Sequence, residues 1–130
     1  MFTLTSTWTL KQGSERAGIA ALKKLARQVQ KGEKDTLLYL VHMPDMKRAS
    51  QPTPSSLDVV FFEIYRDRAA FCAHVNGPIF KKFVATHGSL FLSTRGECDD
   101  PDTPAGPYTS VEFLDRKAGF IRAELVEEGD

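Results

Sequence analysis

Residues 57–65, LDVVFFEIY, carry apolar side chains on both alternating faces. Val59, Phe61 and Tyr65 fall on one side together with Glu63, and Val60, Phe62 and Ile64 fall on the other. A strand of this kind must be covered from both sides. Residues 36–43, TLLYLVHM, repeat the pattern between charge on one flank and Pro44-Asp45 on the other, which predicts a second strand of the same type. Residues 2–10 differ: Phe2, Leu4, Ser6, Trp8 and Leu10 alternate with Thr3, Thr5, Thr7 and Thr9, so a first strand shows one largely apolar face and one face of threonine.

Helical spacing fills the gaps. Gly13-Ser14 offers a turn and an N-cap, and Gly18, Ala21, Leu22, Leu25 and Val29 then form one stripe, with Lys23, Lys24, Arg27 and Lys31 opposite as a solvated face and Gly32 as the stop. Asp67 caps a further helix in which Phe71, His74 and Val75 share a face; Gly77 ends it and Pro78 opens the next, where Ile79, Phe80, Phe83, Val84 and His87 line up. Residues 44–56 and 96–108 read as loops, residues 89–94 as a short strand or an irregular link, and residues 108–114 and 118–126 as two closing strands. The order is β-α-β-β-α-β with an extra C-terminal strand, an α+β, ferredoxin-like antiparallel sheet with helices on one side. One domain of 130 residues has no element left to cover the second sheet face, so a second copy packed face to face is expected.

Charge and spacing exclude several function classes. Lysine plus arginine equal aspartate plus glutamate at 17 each, so no net field attracts nucleic acid or an anionic membrane. An aromatic third strand suits an RNA-recognition module, but the basic, glycine-containing motif of that strand is missing. No apolar run approaches the roughly 18 residues of a membrane span, and MFTLTSTWTL lacks the regions of a signal peptide, so a cytoplasmic protein is expected. Cys72 and Cys98 make no disulfide framework; Cys72 reads as a small buried hydrophobe. Cys72 and His74 point in different directions on a helix, and Asp99, Asp100 and Asp102 lack calcium-loop spacing, so no metal site is expected.

Residues 61–84 carry a resemblance. Tyr65-Arg66-Asp67, Ala69-Ala70-Phe71, Ala73-His74, Gly77-Pro78 and the pair Phe80 and Phe83 stand in the order seen in the third strand and second helix of antibiotic biosynthesis monooxygenase domains. The chain resembles that family over roughly residues 2–95, while residues 96–130 are not assigned by it. The resemblance implies a dimeric α/β barrel and, as in quinol monooxygenases, oxygenation of a small aromatic quinol or phenol by molecular oxygen with no metal or flavin. Such chemistry asks for a base, a dry apolar cavity and an anchor for a developing oxyanion. His74, Glu63 and Tyr65 are the catalytic candidates; Trp8, His42, Phe61, Phe71, Phe80, Phe83 and His87 are the candidate substrate-binding residues, with His42 also weighed as a base. Glu63 on an apolar strand needs a partner, and is either a pocket acid or half of an ion pair with Arg66 or Arg95. Trp8 and His74 also have plain structural readings, as core and as a satisfied core-edge histidine.

The sequence departs from the family at several places. Ile79 replaces a frequent histidine, and Ser6 and Thr7 stand where some catalytic members place an asparagine. Tyr65 and Val84 occupy the tryptophan and histidine places of haem-degrading relatives, which ranks haem degradation below quinol or phenol oxygenation. A non-catalytic ligand-binding or stress-response module on the same scaffold is the alternative, with isomerase or decarboxylase chemistry a third.

Overall fold

The threonine alternation of residues 2–10 becomes β1 (Phe2–Thr9), the strand on which the rest of the sheet is built. The computed structural model describes residues 1–92 and 109–122. After β1 come α1 (Glu15–Gly32), β2 (Thr36–His42), β3 (Asp58–Tyr65), α2 (Arg68–Asn76), α3 (Pro78–His87), a 3-10 turn at Gly88–Leu90 and β4 (Thr109–Leu114). The strands form one sheet in the order β2-β3-β1-β4, every neighbouring pair antiparallel, which is the ferredoxin-like arrangement expected.

Register decides which residues meet. Leu4 lies opposite Glu63, Ser6 opposite Phe61 and Trp8 opposite Val59, and on the other edge of β3 Tyr39 lies opposite Glu63 and Val41 opposite Phe61. These residues point toward the helices. Ala21, Leu22, Leu25 and Val29 of α1 and Phe83 of α3 bury against them. Each large side chain so removed from water contributes about 1.5–3 kcal/mol. Trp8 stands at the middle, with ring centroids of Phe61 at 5.1 Å, Phe91 at 5.1 Å, Phe80 at 5.8 Å and Phe83 at 5.9 Å. Phe91 is held there by an antiparallel bridge to Leu10, within the link expected at residues 89–94, of which residues 93 and 94 lie outside the described residues.

Among the described residues, no helix packs on the opposite sheet face. That face carries Val60, Phe62 and Ile64 of β3, Leu38, Leu40 and His42 of β2, and the threonines of β1, with Ile64 and Thr3 buried at one end. Leu40 is 42% exposed there and Leu114, on the same face of β4, 39%.

Local signals were mostly obeyed, with four exceptions. Ser14 occupies the N-cap of α1 but makes no side-chain cap bond; Glu15 instead reaches back to accept the Gly13 N–H at 2.7 Å. Cys72 is exposed rather than buried, and Val75, expected beside His74 on the packed face, is 36% exposed. Both follow from the shallow seating of α2, in which His74 is the sole buried residue. Residues 118–122, expected to begin a closing strand, are irregular, with Gly119 at φ 125° and Phe120 77% exposed. The positive φ of Gly119 is not a strand conformation, so no strand begins in this stretch. Arg95, Cys98, the 96–108 loop and residues 123–126 lie outside the described residues.

Candidate functional site

Asp67 is where the helix carrying His74 begins. Its carboxylate accepts the Ala70 N–H at 2.8 Å, a side-chain cap of the type worth about 1 kcal/mol. Gly77 closes α2 with its N–H on the His74 carbonyl, and Pro78 starts α3 one residue later. Helix α2 thereby packs on β2 and β3 and α3 against α1, with His74 turned inward and 4% exposed.

Glu63 projects from β3 into the same layer and is 5% exposed. Its partners are hydroxyls rather than an arginine: Tyr65 donates to Oε1 at 2.5 Å and Ser6 donates to Oε2 at 3.2 Å. Arg66, one of the expected ion partners, points outward to Asp35 at 2.8 Å, where both side chains are largely solvated and the pair adds little. Burial raises the Glu63 carboxyl above its usual range, and the charge of Glu33 adds to this; the Tyr65 hydroxyl, the His74 charge and the Ser6 hydroxyl pull the other way and lose. Tyr65 is pushed far up by its own burial and then by the Glu63 charge and hydrogen bond, so its hydroxyl remains a donor at any working pH. Tyr39 is also raised, by burial first and then by Glu63 and Glu33.

His74 has a partner that sequence reasoning missed. Its Nδ1 lies 2.6 Å from Oε1 of Glu33, the residue directly after α1, and Thr36 donates to the same oxygen at 3.2 Å. The only signal available was that a helix stop at Gly32 followed by a charged residue turns the chain back toward the sheet. Around the imidazole stand the rings of Phe80 at 5.2 Å, Tyr39 at 5.4 Å and Tyr65 at 5.6 Å. Tyr65 in turn touches Phe71 at 5.4 Å, which with Phe2 and Phe113 forms a second aromatic group at the sheet edge. Phe113, on β4 and beyond the reach of the family resemblance, is 58% exposed there.

The structure therefore brings His74, Glu63, Tyr65, Phe61, Phe71 and Phe80 together on the helix-facing side of the sheet. Trp8 and Phe83 belong to the neighbouring core. His42 lies on the uncovered face, across the sheet from Glu63, and His87 packs on Phe83 at 5.4 Å beside a pocket of about 40 Å³ between α1 and α3. Among the described residues, no group of three or more His, Cys, Asp or Glu is placed to hold a metal ion, and no described helix is long and apolar enough to cross a membrane.

A buried carboxyl group with a raised affinity for protons, beside a carboxylate-bound imidazole in aromatic surroundings, is equipped for proton transfer on an apolar substrate. Solved structures share the fold. The Pseudomonas aeruginosa protein PA3566 superposes with a TM-score of 0.63 at 22% identity, covering 90% of this chain and 94% of that one. A Caulobacter crescentus protein, named as a candidate antibiotic biosynthesis monooxygenase, gives 0.67 at 16% identity over 88% of each chain. Rv0793 from Mycobacterium tuberculosis gives 0.60 at 18% identity, covering 94% of this chain and 97% of that one. No curated protein matches the sequence. The family model for antibiotic biosynthesis monooxygenase matches residues 1–86, a span that contains β1 to α2, Glu63 and His74. This chain belongs to the antibiotic biosynthesis monooxygenase family.

Proposed function

We propose that the protein oxygenates a small aromatic quinol or phenol with molecular oxygen, using no metal or flavin, and that His74, Glu63 and Tyr65 carry the reaction. The observation that supports this most is the Glu63 carboxyl group, raised by burial, held between two hydroxyls and facing His74 inside an aromatic shell. An anthrone illustrates the balance. His74 removes the activated ring C–H proton; the resulting anion passes one electron to O₂, and the radical pair joins as a peroxide. Loss of water from the peroxide turns one anthrone and one O₂ into one anthraquinone and one H₂O. Burial raises the affinity of the Glu63 carboxyl group for a proton, and in its protonated form Glu63 is a hydrogen-bond donor suited to the substrate oxyanion.

Entry of a flat ring between sheet and helices asks one element to yield. Alpha-helix α2 is suited to this, because nine residues are anchored through one buried side chain and local opening is easiest where buried contact is sparse. The uncovered sheet face fits a homodimer in which a second copy of the same face completes an α/β barrel.

Oxygen uptake by metal- and flavin-free protein, measured against reduced naphthoquinols and anthrones and corrected for autoxidation, tests the reading. Saturable uptake is expected. The His74→Asn variant, whose side-chain amide can still donate to Glu33, is expected to stay folded with a lowered thermal unfolding midpoint, since α2 loses its one buried ring, and to lose about 100-fold in kcat, the scale of a general base. Saturable binding of these compounds without uptake would overturn the oxygenase and favour a ligand-binding module, a reading consistent with both Glu63 oxygens already having partners inside the protein.

A further inference from the structure

His74 is approached from three elements: Glu33 from the end of α1, Tyr39 from β2, and Glu63 and Tyr65 from β3. Only Glu33 makes a hydrogen bond to the ring among the described contacts, and it does so at Nδ1. An ionised carboxylate accepts and cannot donate, so an Nδ1 in contact with it carries the proton, and in the neutral imidazole the lone pair is left on Nε2. Glu33 is itself fixed from two directions. Its backbone N–H bonds to the Val29 carbonyl at 2.9 Å, and its backbone carbonyl accepts from the Thr36 N–H at 3.1 Å. The Thr36 hydroxyl holds the side-chain oxygen that meets His74. A carboxylate locked at both ends presents one geometry to the ring.

We infer that Glu33 is the positioning residue of the site: with Thr36 orienting its carboxylate, it holds His74 as the Nδ1–H tautomer and leaves Nε2, on the far side of the ring, as the basic atom. The catalytic consequence rests on the oxygenase reading above; the tautomer itself does not. Glu33 does not touch substrate. Its role resembles that of any carboxylate that orients a catalytic imidazole, where replacing the acid by its amide keeps the shape and permits the wrong tautomer.

The decisive measurement is long-range proton–nitrogen NMR of the ligand-free, ¹⁵N-histidine-labelled protein above the histidine titration range. With three histidines in the chain, single replacements of His42 and His87 assign the His74 signals. Wild-type protein is expected to show a protonated Nδ1 and a bare Nε2 at His74, and Glu33→Gln is expected to move the population toward Nε2–H. Glu33→Asp, which keeps the charge and shortens the reach, is expected to hold an intermediate population, and it serves should the glutamine variant not fold. A wild-type spectrum with the proton on Nε2, or an unchanged tautomer in the variants, would refute the assignment. If quinol oxygenation is established, Glu33→Gln is expected to lose at least about tenfold in kcat with KM within about twofold, the loss typical of residues that orient a functional histidine. Unchanged kcat with a shifted tautomer would remove Glu33 from the mechanism. Absent oxygen uptake in the wild type would defeat the oxygenase and leave the tautomer result standing.

Discussion

Glu63 has a consequence for stability that can be measured without knowing the substrate. Its ordinary value is 4.5, and burial raises it in the folded chain. The native state therefore binds this proton more tightly than the unfolded state does. In the window that opens at 4.5 and runs upward to the folded value, folding carries an excess proton, and stability falls as pH rises; above the window the loss is constant. Glu63→Gln cannot ionise, and its amide can accept from Tyr65 while donating to Ser6. The thermal midpoint of the variant is thus expected to gain on the wild type as pH is raised from about 4 to about 8. Parallel midpoints across that range would mean that the carboxyl group is not raised. At this scale the sequence was legible in type but not in partner. An acidic residue among LDVVFFEIY announces an unusual environment, yet its hydroxyl partner Ser6 lies 57 residues away on another strand. Glu33 was invisible for a related reason: it meets His74 across 41 residues, and no local periodicity encodes such a meeting.

Elements were read more fully, because their signals are local. Threonine alternation, the Asp67 cap and the Gly77-Pro78 break each act within a few residues, and each stands where expected. Gly77 carries more weight than a helix stop. A Cβ built there would lie 2.6 Å from the Ala73 carbonyl oxygen, which belongs to the last turn of α2 and cannot yield without disturbing the turn that carries His74. Gly77→Ala is expected to cost about 1–3 kcal/mol, in the range of overpacking at a rigid site. The denaturant midpoint would then drop while the slope of the transition stays fixed. A midpoint equal to the wild type's would show that the α2 to α3 junction relaxes freely. The failure at this scale lies at residues 118–122, where Gly119 at φ 125° departs from the extended conformation that a strand requires.

Taken whole, the sheet has one face covered by the described helices and one that no described helix covers, and the second was already implied by strands apolar on both sides. Its apolar half lies on β2 and β3, where Phe62 stands opposite Leu40 on one edge and Thr5 on the other. Partly exposed apolar side chains such as Leu40 and Phe62, beside the threonines of β1, suit a self-complementary contact between two copies better than exposure to water. Burying a charge there without a partner is unfavourable, so one substitution at the centre is enough to test the arrangement. Light scattering coupled to size exclusion is expected to give twice the chain mass of 14.5 kDa for the wild type and a single chain mass for Phe62→Glu. Phe62 points away from the helices, so the variant is expected to keep its far-ultraviolet circular dichroism and the buried Trp8 fluorescence. A wild type that remains monomeric at every concentration, or a Phe62→Glu variant that stays dimeric, would assign the uncovered face to something other than a second copy. If the variant is monomeric, folded and still binds the aromatic panel, the pocket is complete within one chain; if binding is lost with the dimer, the second copy is needed to close it.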